Sequence, residues 1–309
     1  MVCGTGGGGA EIWEEQAAVL RRRAAVDRMT WPKALPYAAA ALIARLTGRQ
    51  GPCLTVSTAC ASRTTAIGEG ARLIREGICD TVLAGAAEAP VTALSLAGFS
   101  RMGSLSTRNE APALASRPFD ADRDGYVIGE GAAFLHLERW DLAAARGAPV
   151  LAEISGYAQT CDAHHITAPR PDGSVAADCI RRALADSGHA PHEIGHVNCH
   201  CTATELNDPM EARALRAVFD GRPPPVTAPK SVLGHLLGAA EAAEAVVAVL
   251  AAHHGLVPPV ANRDRTAPDG PLDVVAGAPR PLGRLPVVST SFGFGGHNAC
   301  PVVTPSTTE

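Results

Sequence analysis

Residues 54–77 read LTVSTACASRTTAIGEGARLIREG, and this stretch decides the fold. It opens as a short apolar run with β-branched members, which is typical of a buried strand. From Thr64 onward, apolar residues recur at helical spacing as far as Gly77, a common helix C-cap. Cys60 therefore lies where a strand ends and a helix begins, and the positive end of a helix dipole favours a thiolate. This stretch alone leaves a buried structural cysteine open as the alternative.

Strands and helices alternate along the rest of the chain, which predicts an α/β fold with parallel strands. Residues 54–77 and 197–219 share a layout of strand, small polar turn and helix. This layout predicts two similar halves, residues 1–149 and 150–309. Strands are predicted at 80–88, 129–138, 150–158, 193–200 and 286–290, and helices at 11–27, 37–46, 94–102, 141–146, 174–187, 208–219 and 236–252.

Residues 1–9 are rich in glycine, and the sequence predicts a plain loop there. A phosphate-binding loop is excluded because no Lys-Ser/Thr pair follows and no strand is predicted before the glycines.

Composition excludes several classes of partner. The chain has 309 residues, a net charge of −4 and no long basic run, so nucleic acid is not expected to bind. No apolar run reaches the ~20 residues that a membrane span needs. Because no secretion signal is recognisable, the nine cysteines are expected to be reduced thiols in the cytoplasm.

Four segments carry candidate chemistry, and each follows a predicted strand or precedes a predicted helix. Cys60 offers a nucleophile, and two further segments carry His200 and His235. The turn at residues 293–296 could present backbone N–H groups to an oxyanion. In open α/β sheets ligands bind at the carboxyl ends of strands, so we expect these segments to meet.

Metal sites are not favoured by the spacing of the candidate ligands. Cys199, His200 and Cys201 are adjacent, and adjacent strand residues point to opposite faces, so they do not readily ligate one zinc ion. The acidic run at 120–125 lacks the glutamate at the twelfth position of a calcium loop.

The motifs together resemble the β-ketoacyl-acyl-carrier-protein synthases of the thiolase superfamily, the condensing enzymes of fatty acid and polyketide synthesis. The resemblance runs from about residue 51 to 298. It rests on TACAS at 58–62, NxHxTxT at 198–204 followed by NDP, KSxxGH at 230–235, and GFGGHN at 293–298. It implies a thiolase-like fold of two similar halves in layers ordered α-β-α-β-α.

The resemblance also implies a longer N-terminal portion before the residues that match 2–9. We expect the first half of this chain to lack the strands of that portion. Either the gene start is misplaced, or another chain completes the sheet, or this protein is a degenerate relative of the family.

A Cys-His-His site is what the resemblance implies. Cys60 would hold the acyl chain as a thioester, and His200 and His235 would stabilise the enolate formed when malonyl carrier protein loses carbon dioxide. Lys230 would orient the surroundings of the second histidine and pair with Glu244.

Further roles follow from the same resemblance. The backbone N–H groups of Cys60 and Phe294 would form the oxyanion hole, and Phe294 would gate the acyl pocket. Thr202 and Thr204 would hydrogen-bond the phosphopantetheine arm. The remaining site residues that it implies are Phe292 and Gly295 at the substrate and Asp208 in support.

The implied partners are an acyl-carrier protein and a second subunit, in a homodimer or a heterodimer with a ketosynthase-like chain. No metal, nucleotide or other cofactor is implied, because the carrier protein brings the phosphopantetheine. The alternatives are a non-catalytic chain-length partner, which would lack the cysteine, a thiolase, which would carry one histidine and a second cysteine, and a cysteine hydrolase.

Four residues near the site depart from the family pattern. Arg63, Cys201 and Glu241 stand where the family has glycine, and Ala203 replaces a small polar residue.

Overall fold

A computed structural model describes residues 1–267 and 272–306, without the side chains of residues 241 and 242. The strands are β1 (Val2–Gly4), β2 (Leu54–Val56), β3 (Thr81–Glu88), β4 (Gly131–Glu138), β5 (Ala152–Cys161), β6 (His196–Asn198), β7 (Val226–Thr227), β8 (Leu256–Val257), β9 (Arg280–Pro281), β10 (Val287–Ser289), β11 (Ser291–Gly293) and β12 (His297–Pro305). The helices are α1 (Ala10–Arg21), α2 (Thr30–Ala34), α3 (Ala38–Thr47), α4 (Ser62–Arg75), α5 (Ala93–Arg101), α6 (Trp140–Ala145), α7 (Ser174–Ser187), α8 (Asn207–Val218), α9 (Lys230–Leu233) and α10 (Ala240–His254).

The first sheet has the order β2-β1-β3-β4, with β1 parallel to both of its neighbours and β4 antiparallel to β3. The prediction of a loop over residues 1–9 is therefore wrong for Val2–Gly4, which is a central strand. Val2 and Cys3 are fully buried on opposite faces of the sheet. A strand of three residues is too short to show the alternation that identifies strands in a sequence.

The second sheet has the order β11-β12-β10-β6-β7, with β5 paired to β12. Strands β6, β7 and β10 are parallel, whereas β12 runs antiparallel to β5, β10 and β11. The strand predicted at 193–200 is shorter, because only His196–Asn198 is extended. Residues 199–206 are thereby left as a turn between β6 and α8.

Helices α4 and α10 lie between the two sheets and contact each other. Ile67 of α4 and Ala245 of α10 pack in one core with Val2 of β1, while α10 also covers Val287 and Val303 of the second sheet. Helix α3 covers the other face of the first sheet, and α7 and α8 cover the other face of the second. The result is the predicted layering α-β-α-β-α.

Two predicted helices differ at their ends. The helix predicted at 11–27 ends at Arg21. The helix predicted at 236–252 begins at Ala240, because residues 237–239 form a separate 3₁₀ turn in which Leu237 has a φ of 48°. That turn keeps the helix start close to His235. In the part of the chain that the structure describes, no helix combines the length and apolarity needed to span a membrane.

Candidate active site

Cys60 lies in a tight turn between β2 and α4, which we name the Cys60 turn (residues 57–61). Ala59 is left-handed there, with a φ of 50°, and α4 begins two residues after Cys60 at Ser62. The Ser62 hydroxyl closes the turn, because its Oγ accepts from the Thr58 N–H at 2.9 Å and lies 2.6 Å from the Ala59 carbonyl. The thiol is thus fixed at the helix start, where the dipole favours its anionic form.

His235 lies beside the nucleophile. Its Nε2 is 3.2 Å from the Sγ of Cys60, a distance that suits a hydrogen bond to sulfur. The backbone of His235 donates to the Val127 carbonyl at 2.7 Å and accepts from the Gly129 N–H at 2.9 Å. Tyr126 packs edge-on against the imidazole, with ring centroids 4.9 Å apart. No motif in the sequence marks Tyr126 as a site residue.

His200 lies on the other side of the site and is held by a buried ion pair. Lys230 Nζ is 3.3 Å from His200 Nδ1, and 2.9 and 3.0 Å from the carboxylate oxygens of Glu244. The Lys230–Glu244 pair is as predicted, and Lys230 also hydrogen-bonds His200, while its role in the surroundings of His235 stays a prediction. An ammonium group has no lone pair to offer. Nδ1 of His200 is therefore the acceptor, and its Nε2 carries the proton toward the site.

Glu211 fixes the turn that carries His200, which we name the His200 turn (residues 199–206). Its carboxylate accepts from the N–H of His200 at 2.9 Å and from that of Cys201 at 2.8 Å. The hydroxyl of Thr290 donates to the same carboxylate at 2.5 Å. Glu211 is fully buried on α8. No motif in the sequence marks Glu211 as a site residue.

Asp208 holds the same turn from a second point. Its carboxylate accepts from the N–H of Ala203 at 3.1 Å and from that of Phe119 at 2.9 Å. Both donors have left-handed backbones, with φ of 61° and 60°. Burial raises the pKa of Asp208 to about 6, although these donors and the Arg123 guanidinium 3.8 Å away oppose the rise. Asp208 therefore stabilises two strained residues beside the site.

The site opens into a cavity of about 680 Å³. The three ligand atoms of Cys60, His200 and His235 lie within 4.8 Å of one another and line it. The hydroxyls of Thr202 and Thr204 are 2.9 Å apart on its wall. The predicted site residues among its lining are Cys60, Thr202, Thr204, His200, His235, Phe292 and Phe294.

The glycine-rich turn packs directly on the Cys60 turn. A Cβ added at Gly293 would lie 2.8 Å from the Thr58 carbonyl and 3.2 Å from the Cys60 nitrogen, so only glycine allows this approach. Gly295 has a φ of 81° and donates to the Ile166 carbonyl at 2.8 Å. Gly295 thus shapes the turn, and its contact with substrate stays a prediction.

Three of the four departures from the family pattern lie inside the protein. Arg63 is 1% exposed in the first turn of α4. Cys201 is fully buried, and burial raises the pKa of its thiol well above the ordinary value. Ala203 adopts its left-handed backbone with help from Asp208. Glu241 lies in α10, and its side chain is outside the described residues.

Two stacked sheets with a cysteine at a helix start and two facing histidines define a thiolase-fold protein with a Cys-His-His centre. The N-terminal domain model of the β-ketoacyl synthases matches residues 1–143, and the C-terminal domain model matches residues 151–264. The chain belongs to the β-ketoacyl synthase family. The division of the chain at residue 150 stays a prediction.

Individual relatives agree with this assignment. The chain is 42% identical over 302 residues to the 3-oxoacyl-[acyl-carrier-protein] synthase 2 of Synechocystis. The matched region covers 96% of this chain and 73% of the relative. It is 44% identical over 275 residues to the mitochondrial 3-oxoacyl-[acyl-carrier-protein] synthase of Arabidopsis thaliana, spanning 87% of this chain and 59% of that one.

Solved structures share the fold. A β-ketoacyl synthase from Burkholderia phymatum superposes with a TM-score of 0.93 at 33% identity, covering 99% of this chain and 75% of that one. A structure described as the ishigamide ketosynthase/chain length factor gives a TM-score of 0.91 at 36% identity, covering 99% of this chain and 74% of the other.

Proposed function

We propose that this protein joins an acyl group held on Cys60 to the two-carbon unit of malonyl-acyl-carrier protein, releasing carbon dioxide and giving a β-ketoacyl-acyl-carrier protein. One observation carries the proposal. The Cys60 thiol and the two imidazoles lie within 4.8 Å of one another at a cavity large enough for an acyl chain and a pantetheine arm.

The first step is acyl transfer to the enzyme. The Cys60 thiolate attacks the carbonyl carbon of the acyl thioester, and the carrier's thiol leaves with a proton. The Cys60 and Phe294 N–H groups stabilise the oxyanion of the tetrahedral intermediate. Gly293 brings the two N–H groups together, because its lack of a side chain lets the glycine-rich turn at residues 293–296 lie against the Cys60 turn.

The second step forms the new carbon–carbon bond. The bond between the malonyl carboxylate and the α-carbon breaks, carbon dioxide leaves, and the electron pair remains as an enolate. His200 Nε2–H and His235 donate to the thioester oxygen on which this charge develops. The α-carbon then attacks the acyl carbonyl carbon, and the Cys60 sulfur leaves as a thiolate.

Lys230 and Glu244 act through His200. The ammonium donates to Nδ1, which keeps the ring proton on Nε2 and its orientation fixed. Because the lysine charge is paired with Glu244 at 2.9 Å, the buried pair adds no net charge beside the enolate. This arrangement needs no metal or other cofactor.

The partners follow from the chemistry. The two relatives described above are named 3-oxoacyl-[acyl-carrier-protein] synthases. One similar solved structure is described as a type II polyketide synthase acyl-carrier protein in complex with its ketosynthase. We propose that Thr202 and Thr204 hydrogen-bond the phosphopantetheine arm of such a carrier. We also propose a dimer, with an identical or a ketosynthase-like subunit, working in the cytoplasm.

Mass spectrometry of the purified chain with an acyl-acyl-carrier protein tests the proposal. We expect one added acyl group on the Cys60 peptide. Cys60→Ala should abolish the adduct yet release carbon dioxide from malonyl carrier protein, whereas His235→Ala should lose that release. Cys161→Ala, which removes an exposed thiol, is the matched control and should be acylated normally. An unchanged adduct in Cys60→Ala would overturn the assignment.

A non-catalytic chain-length subunit is the second candidate, because two of the solved neighbours contain a chain length factor. The Cys60 thiol and its contact with His235 speak against it, since such subunits of this family lack the cysteine. A folded chain that never acquires the acyl group, alone or mixed with a competent ketosynthase, would favour this candidate.

A further inference from the structure

Glu88 is a buried carboxylate to which the reaction above gives no role. It is the last residue of β3, only 6% exposed, and it lines the cavity. Its oxygens accept from the Thr5 hydroxyl at 3.1 Å, from the Gly7 N–H at 3.0 Å and from the Gly6 N–H. Gly238 packs against the same carboxylate, because a Cβ added there would lie 2.4 Å from a Glu88 oxygen.

The residues that contact the Glu88 carboxylate come from two separate segments. Thr5, Gly6 and Gly7 follow β1, whereas Gly238 lies three residues after His235. A Cβ added at Gly238 would lie 2.3 Å from the Gly6 nitrogen and 2.4 Å from a Glu88 oxygen. The two segments therefore touch at Glu88, and glycine is required at that contact.

On one side, Glu88 is connected to the Cys60 turn. The Oγ of Ser62 lies 3.2 Å from the carbonyl of Thr5, and the N–H of Thr5 donates to the Val56 carbonyl at 3.1 Å. Ser62 is the residue that closes the Cys60 turn. A shift of Thr5 would therefore be transmitted to the nucleophile.

On the other side, Glu88 is connected to His235. Gly238 lies in the 3₁₀ turn at residues 237–239, where Leu237 has a left-handed φ of 48°. Strained residues persist only where the surroundings hold them. The opposite side of His235 is already fixed by Val127 and Gly129. The close contact of Gly238 with Glu88 is thus the second restraint on this segment.

We propose that Glu88 is a positioning residue that sets the separation of Cys60 and His235. Its carboxylate joins the segment that fixes the Cys60 turn to the segment that carries His235. The inference deepens the proposed function and rests on it only for the effect on turnover, because the geometry itself can be measured without any natural substrate.

The decisive variant is Glu88→Gln. An amide offers one acceptor oxygen and turns N–H groups toward the other donors, so at least one of the two segments must move. Displacements of about 1 Å at reacting groups can cost a hundredfold in rate. Burial raises the pKa of Glu88, but the converging donors favour its charged form. A neutral amide cannot carry the charge that these donors stabilise.

The measurement is the pH dependence of Cys60 alkylation by iodoacetamide, followed by peptide mass because other thiols are exposed. We expect Glu88→Gln to move the Cys60 profile upward by about half a pH unit, since a more distant imidazole favours the thiolate less. Acyl transfer to Cys60 should fall by about tenfold or more. An unshifted profile in a folded variant would overturn the inference.

Two controls isolate the effect. Gly7→Ala keeps the backbone N–H that donates to Glu88, and its new Cβ would lie 3.5 Å from a Glu88 oxygen, which is an ordinary van der Waals contact. Glu76→Gln makes the same chemical change on an exposed residue of the protein. Both should leave the Cys60 profile where it is. A shift in Gly7→Ala as large as in Glu88→Gln would show general sensitivity of the loop and count against Glu88.

Thr5→Val covers the case in which Glu88→Gln does not fold. It removes the hydroxyl that donates to Glu88 and accepts from the Gly8 N–H at 3.0 Å, so a smaller shift in the same direction supports the inference and an unchanged profile overturns it. If the unmodified protein shows a normal alkylation profile but no acylation by a carrier protein, the proposed function fails while the positioning role stands.

Discussion

The Cys60 turn and the His200 turn have the same layout but different anchors. Each follows a three-residue parallel strand and precedes a long helix, and each contains one left-handed alanine, Ala59 or Ala203. The Cys60 turn is closed by the Ser62 hydroxyl and by backbone bonds. The His200 turn is closed by two buried carboxylates, Glu211 and Asp208.

The difference follows from what each turn carries. Cys60 works as an anion, and a buried carboxylate beside it would disfavour the thiolate. A hydroxyl closes the Cys60 turn without adding charge. His200 keeps its ring state through Lys230, so carboxylates can fix its backbone from the side away from the reacting atoms. The two turns therefore share a backbone layout. The side chains that fix each turn suit the charge of the site residue that the turn carries.

The largest effect is expected for Glu211→Gln in the His200 turn. The amide offers one acceptor oxygen instead of two to the donors from His200, Cys201 and Thr290, so at least one buried hydrogen bond to this side chain is lost. We expect the free energy of unfolding to fall by about 3 kcal/mol. Release of carbon dioxide from malonyl carrier protein should fall by about a hundredfold, since His200 loses its orientation.

Denaturant titration and a carbon dioxide assay measure the two losses. Glu15→Gln, an exposed change on α1, is the matched control and should alter neither quantity. Full stability in Glu211→Gln would mean that the carboxylate is not what closes the His200 turn.

A medium effect is expected from Asp208, and it depends on pH. Burial raises the pKa of this carboxyl to about 6, above its value of about 3.9 in an unfolded chain. Between these values the folded state binds more protons than the unfolded state. The contribution of Asp208 to stability is therefore present below pH 4 and is lost as the pH rises to 6, by about 2–3 kcal/mol.

Asp208→Asn removes this titration, so the stability difference between the two proteins should shrink steadily from pH 4 to pH 6. Denaturant midpoints at four or five pH values in this range measure it. Parallel curves for the two proteins would contradict the raised pKa.

The comparison also shows what the sequence can and cannot predict. The strand, turn and helix around Cys60 were predictable because apolar spacing and a helix C-cap are local signals. The two histidines were predictable because their motifs lie at strand ends. The central strand β1 was missed, since three residues beside a glycine run carry no periodicity.

The anchors were beyond the sequence for a different reason. Glu211 contacts His200 across 11 residues, and Glu88 contacts Gly6 across 82. Such contacts depend on how the helices and strands pack, and the spacing of residues along the chain does not predict that packing. The same reason explains why the sequence does not predict the hydrogen bond from Lys230 to His200.

The smallest effect is expected for Ser62→Ala in the Cys60 turn. The change removes the acceptor of the Thr58 N–H and the hydroxyl that lies near the Ala59 and Thr5 carbonyls. Only neutral hydrogen bonds are lost, so the free energy of unfolding should fall by about 1 kcal/mol. Acyl transfer to Cys60, measured by rapid-quench mass spectrometry, should fall by only a few fold. A loss in Ser62→Ala as large as that in Glu211→Gln would contradict the difference between the two turns, because a neutral anchor would then be as costly to remove as a buried charge.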